Sequence, residues 1–254
     1  MHRDTLIALS ITALVLAFLF IENAPNTAES PGAATPKAQF SAQYGTPNLD
    51  GNADDPIWQQ SPWHPLDQTW LGDPPSPQDC SGRYKIAWDE NNLYLLAEIQ
   101  DEALVDTHPD GLQRYWDDDC LEIFLDEDAS GGNHQYSYNA FAYHIALDGR
   151  VVDIRPDSSF AYFDAHCTTR RVSQGGQSTW EVAIRVFDGN RYADAGENIP
   201  KNLRSGKKMG FALAYCDNDN SPERENFIGS VPVPGPDKNR GWIDADIFGL
   251  LTLD

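Results

Sequence analysis

Hydrophobic and polar residues alternate in short runs along most of this chain. Between residues 120 and 126, Leu121, Ile123 and Leu125 form one apolar face, and Cys120, Glu122 and Phe124 form the other. If the chain stays extended back to Trp116, that ring shares the Glu122 face, because an even number of residues separates the two. Residues 83–88 alternate in the same way, with Tyr84, Ile86 and Trp88 on one side. A turn at 89–92 then leads into the return strand of a hairpin at 93–99. Asp148-Gly149 predicts a tight turn between strand residues within 136–147 and 150–154. Further strands are expected within 160–172 and at 180–186, 211–216 and 248–253. Residues 61–82, with five prolines, read as loop, and Trp63 and Trp70 cover an open end of the core or line a groove. Beyond residue 39 no segment of useful length keeps a 3.6-residue apolar period, and nothing repeats at a fixed interval. The pattern predicts an all-β protein, an antiparallel β-sandwich of jelly-roll or immunoglobulin-like form.

The exception is the beginning. Residues 5–21 are an apolar run behind Arg3 and before Glu22. The run lies at the lower edge of a membrane-spanning helix and just beyond a signal-peptide core. It predicts a helical signal peptide or membrane anchor over 1–23, followed by a Pro/Ala/Ser/Thr-rich linker over 24–39 and the sandwich over 40–254. Export to the periplasm, cell surface or exterior follows, with membrane contact only through this segment.

The 254 residues, 41% hydrophobic, suffice for one core. A net charge of −21 argues against nucleic acid and leaves divalent cations or neutral ligands as partners. Four cysteines, Cys80, Cys120, Cys167 and Cys216, permit two disulfides in an exported chain, with four buried thiols the alternative. None forms a Cys-x-x-Cys pair, which argues against zinc or redox chemistry.

Asp50, Asn52 and Asp54 alternate around Gly51 like the start of a calcium loop, but Ser61 stands where a bidentate Glu is needed. An Asx turn is the expected structure, with a calcium site of another kind the alternative. The pool of candidate calcium ligands is Asp50, Asp54, Asp101, Asp117, Asp118 and Asp126. Adjacent aspartates repel one another, and a bound cation relieves that repulsion. Trp116 and Glu122 offer a different chemistry. A flat ring packs on the C–H face of a pyranose while a carboxylate accepts hydrogen bonds from its hydroxyls. The alternative is a ring closing the core edge beside a solvated Glu.

Five motifs together resemble family 9 carbohydrate-binding modules. They are Tyr44-Gly-Thr-Pro-x-Leu-Asp-Gly-x-x-Asp-x-x-x-Trp58, Lys85-Ile-Ala-Trp-Asp-Glu-Asn-Asn-Leu-Tyr-Leu95, residues 116–126, Trp180-Glu-Val-Ala-Ile184, and Asn239-Arg-Gly-Trp242 before Phe248-Gly-Leu. The resemblance covers residues 40–254 and implies a non-catalytic β-sandwich that binds oligosaccharide or polysaccharide beside glycoside hydrolases and carries structural calcium. It implies a sugar clamped between Trp116 and Trp242, with Glu122 and Asn239 as hydroxyl partners and Asn139 and Gln135 as further contacts on a strand. A basic group of that strand is replaced by Ser137. A purely structural surface protein, held by its anchor and binding no sugar, is one alternative, and two chemically active classes also compete. One is a glycosidase pairing Glu122 with Asp117 or Asp118. The other is a haem b domain of the same sandwich superfamily using Met209 with His134, His144 or His166.

Overall fold

Strands form here where a short alternating run has a face to bury and a turn to end it. The computed structural model describes residues 37–108 and 110–254, so the expected signal or anchor and the linker as far as residue 36 lie outside the described residues. In chain order the elements are β1 (Gln39–Tyr44), α1 (Pro56–Gln60), β2 (His64–Leu66), β3 (Gln68–Leu71), β4 (Cys80–Trp88), β5 (Leu93–Asp101), β6 (Cys120–Asp126) and β7 (Phe141–Ala146). They continue with β8 (Val151–Ile154), β9 (Phe160–Tyr162), β10 (Cys167–Gln174), β11 (Gln177–Ile184), β12 (Lys208–Asp217), β13 (Asn226–Gly229), a 3-10 turn at Ala245–Ile247, and β14 (Gly249–Leu253).

The strands follow one hydrogen-bonded path, β10-β11-β5-β4-β1-β14-β12-β6-β7-β8-β9, with β2 on β4 and β13 bridging β12 and β3. The path curls back on itself. Tyr84 of β4 lies 6.0 Å from Phe211 of β12, although those strands are not paired, and Phe40 of β1 packs on both. Between the facing layers Ile86, Leu95, Trp180 and Val182 meet Leu121, Ile123 and Leu213, all fully buried.

The expected antiparallel order holds for most pairs but not at the seam. β1 runs parallel to both neighbours, Gln39 to Ala42 beside β14 and Gln43 to Tyr44 beside β4. The sheet is therefore mixed. A strand that passes from one layer to the other pairs with two different elements, and here both run in its own direction. The loop expected at 61–82 contains β2 and β3, and Trp70 of β3 is buried, donating its indole N–H to the Val231 carbonyl at 2.9 Å.

The first loop is tied down by a buried carboxylate. Glu181 on β11 accepts the backbone N–H groups of Asp50 (2.9 Å) and Gly51 (2.7 Å) and the indole N–H of Trp58 (2.9 Å). Asp50 in turn accepts the Asn52 N–H at 2.9 Å, the expected Asx turn. Gly51 has φ +87°, and a Cβ there would stand 2.3 Å from Val172.

All four cysteines are buried free thiols, so the expected bridges are not formed. Cys80 pairs with Asp101 at one end of β5, whereas Cys167 pairs with Ile184, whose partner Leu93 is at the other end. The length of β5, about 27 Å at roughly 3.4 Å per residue, separates those ends, far beyond disulfide reach. Cys120 and Cys216 are direct neighbours across β6 and β12.

Candidate functional site

A cavity of about 680 Å³ opens beside β6 and β7, and its lining includes Trp116, Glu122, Asn239 and Trp242. Four residues distant in sequence thus converge, although not by the route the alternation predicts. Residues 112–118 are turns and bends, so Trp116 reaches the cavity by a turn and not by strand parity. The ring packs edge-to-face against Tyr115 (5.0 Å) and tilted against Phe160 (5.7 Å). Trp242 follows Gly241, which lies so close to Phe124 that a Cβ would stand 2.7 Å from its ring. His134 Nε2 meets the Gly241 carbonyl oxygen at 2.8 Å and holds that turn from behind.

Gln135 and Asn139 do not join them. The strand expected around these residues starts only at Phe141, and residues 135–139 are turns. Asn139 donates instead to the Gly131 carbonyl at 2.8 Å, and Tyr136 lines the cavity. Ser137 lies in the same turns, so the basic partners of Glu122 come from elsewhere.

Every residue of β6 is buried, Glu122 included. Its Oε1 lies 2.8 Å from His144 Nε2, 3.2 Å from an Arg224 guanidinium nitrogen and 3.0 Å from the Cys216 thiol. Burial alone would raise this carboxyl, but His144, Arg224 and Cys216 outweigh it and hold it below the usual glutamate range. Arg114 caps the rim, bonding Asp117 at 2.9 Å and the Pro222 carbonyl at 2.6 Å. Arg114, Tyr136 and Ser158 all line the cavity with φ between 54° and 66°. Left-handed backbone costs a non-glycine residue about 1–2 kcal/mol, and such strain collects where a binding surface needs it.

The six expected metal ligands are dispersed. Asp54 is exposed, Asp117 is paired with Arg114, and Asp126 caps the Gly131 and Asp128 N–H groups. Asp118 accepts bonds from Thr107 and His108. Only Asp101 enters a carboxylate cluster, with Asp119 and Asp217, whose ligand oxygens lie within 4.8 Å of one another. All three are buried, and none takes part in an ion pair among the described residues. Among the described residues Asp217 Oδ1 has no hydrogen-bond partner. Burial, and then the neighbouring carboxylates, push Asp119 up to about 8 and Asp217 up to about 7.

The expected haem ligands are otherwise engaged. Met209 is sealed in the core, His144 holds Glu122, and His166 sits between the Tyr143 and Tyr192 hydroxyls at 2.8 Å each.

Fold and site together define a β-sandwich module with a cavity lined by aromatic rings and a buried carboxylate. The chain belongs to the family described as "Carbohydrate family 9 binding domain-like", whose model matches residues 49–254. It is 33% identical over 214 residues to endo-1,4-beta-xylanase A of Thermotoga neapolitana, and 32% identical over 218 residues to the enzyme of that name from Thermotoga maritima. Each match covers 84% of this chain but only 17% of the xylanase. Among solved structures it is similar to a family 9 carbohydrate-binding module from Caldicellulosiruptor kristjanssonii, in complex with cellotriose (TM-score 0.61) and with glucose (TM-score 0.62). Both are 20% identical; the match covers 85% of this chain in each case and 93% and 95% of theirs.

Proposed function

We propose that this module captures a neutral β-1,4-linked oligosaccharide or polysaccharide of the xylan or cellulose type, outside the cytoplasm, in support of a glycoside hydrolase. The observation that carries the reading is that Trp116 and Trp242 line one cavity floored by the carboxylate of Glu122. A pyranose stacks its C–H faces on the rings and directs hydroxyls to the floor, where a hydrogen bond to a charged group contributes about 1.5–3 kcal/mol. The lining suits an uncharged ligand, because its cations are already matched, Arg114 by Asp117 and Arg224 by Glu122. Relatives named as xylanases, and a fold relative solved with cellotriose and with glucose, support the same class of sugar. The apolar run at residues 5–21 supports export.

Binding fits the site better than hydrolysis. A glycosidase needs one carboxyl held protonated, whereas Glu122 is held ionised, Asp117 of the lining is paired with Arg114, and Asp118 is not part of the lining. Calorimetric titration of the full chain with xylotriose and cellotriose tests the reading. Saturable binding without released sugar is expected, and no binding of any neutral oligosaccharide would overturn it.

Calcium belongs to the same proposal, at a cluster of which the sequence singled out only Asp101. Asp101, Asp119 and Asp217 offer the oxygen-only donor set a hard divalent cation takes, and the unpartnered Asp217 Oδ1 is the atom such an ion would satisfy. Its role there is structural: Asp119 and Asp217 sit at the roots of the segments that carry Asp117 and Arg224 into the cavity wall.

A further inference from the structure

Arg224 comes from the link between β12 and β13, a segment with no motif of its own, yet it lines the cavity beside Glu122. Its position is fixed from several sides. The backbone N–H donates to Asp117 Oδ1 at 3.2 Å, and the guanidinium lies over the Phe227 ring at 4.1 Å. One terminal nitrogen, Nη1, donates to both Glu122 Oε1 (3.2 Å) and Cys216 Sγ (2.9 Å). The side chain is only 7% exposed.

The two charged groups are used asymmetrically. Every protein donor that reaches Glu122, from His144, Arg224 and Cys216, falls on Oε1. Among the described residues Glu122 Oε2 has no protein partner, and neither do Nη2 and Nε of Arg224. None of these atoms is among the enclosed polar atoms that lack a partner, so each retains access to the cavity. One free acceptor oxygen and two free donor nitrogens therefore belong to the same cavity lining, on two immobilised side chains.

We propose that Arg224 is a specificity-determining contact, its free guanidinium N–H and Glu122 Oε2 together reading adjacent hydroxyls of one sugar unit. The proposal rests on the carbohydrate-binding reading of this cavity. A hydroxyl both donates and accepts. One hydroxyl of a vicinal pair gives its proton to the carboxylate, and its neighbour accepts from the guanidinium. A planar fork held at both ends does this with little loss of freedom, whereas a lysine ammonium offers charge without the fork. Cys216 is a positioning residue for the pair, wedged between Arg224 and Glu122.

The test titrates the full chain and its Arg224→Gln and Arg224→Lys variants with cellotriose and xylotriose. The wild type and Arg224→Gln are also titrated with the monodeoxy analogues of glucose and xylose, and folding is checked by thermal unfolding. Both variants are expected to lose at least tenfold in affinity. At least one deoxy analogue is expected to weaken wild-type binding fivefold or more without weakening Arg224→Gln further. If the wild type binds and Arg224→Lys matches it, charge alone suffices and the contact is refuted. The contact is refuted equally if every missing hydroxyl costs wild type and Arg224→Gln alike, because Arg224 then acts only through Glu122. Should Arg224→Gln fail to fold, Arg224→Lys takes its place in the deoxy comparison. A wild type that binds neither trisaccharide overturns the underlying reading as well.

Discussion

His144 Nε2 stands 2.8 Å from Glu122 Oε1, as its direct neighbour across the β6–β7 ladder. The pairing explains how a carboxylate can stay ionised on a strand whose every residue is buried. Arg224 supplies the counter-charge from the opposite side. Removing the charge would leave Arg224 buried without its counter-ion, and breaking a buried pair in this way costs about 3–5 kcal/mol. Glu122→Gln is therefore expected to lower stability by about 3 kcal/mol in urea unfolding and to abolish measurable sugar affinity. A variant as stable as wild type would contradict the ion-pair account.

Gly241 sets the approach of Trp242 to the cavity. Because a Cβ would meet the Phe124 ring at 2.7 Å, Gly241→Ala is expected to destabilise the protein by about 1–3 kcal/mol. It is also expected to weaken sugar binding by displacing the neighbouring ring. Comparing melting temperature and affinity in one preparation checks both parts.

His166, outside the cavity lining, makes stability depend on pH. Burial, and then the charge of Arg185, lower this imidazole from 6.5 to about 4. Between those values the unfolded chain binds the proton and the folded one does not. The contribution is therefore complete above about 6.5 and is lost as pH falls towards 4. The loss is about 3 kcal/mol at 1.36 kcal/mol per unit. Urea unfolding of wild type and His166→Gln at pH 7 and pH 4.5 should show a smaller acid loss in the variant.

Calcium should raise the melting temperature, and a chelator should reverse the rise. Asp217→Asn removes one of three mutually repelling carboxylates, so it is expected to be more stable than wild type without metal and unresponsive to calcium. A calcium response that survives Asp217→Asn would move the ion elsewhere.

Much of the cavity was legible in the sequence, and the losses have local causes. Trp116, Glu122, Asn239 and Trp242 were found because each sits in a recognisable motif, although the turn at 112–118 replaced the extended path expected for Trp116. Gln135 and Asn139 were misplaced because strand-forming residues from 136 onward hid the turns that precede β7. His144 is set by β6–β7 register and Arg224 by a link between strands, and neither carries a local signal. Within Asp117-Asp-Asp119, the residue that turns inward to Asp101 and Asp217 is the one not chosen, because the direction of each side chain depends on where β6 begins. The parallel pairing of β1 was invisible for the same kind of reason, since it depends on a change of layer and not on alternation.

One sugar unit is expected to sit between Trp116 and Trp242. The indole N–H resonances of the seven tryptophans report on it most directly, assigned with single Trp→Phe variants and followed during titration with cellotriose or xylotriose. The signals of Trp116 and Trp242 should move together along one saturation curve while those of the buried Trp58, Trp70 and Trp180 stay fixed. Saturable binding that leaves Trp116 and Trp242 unmoved would contradict the account.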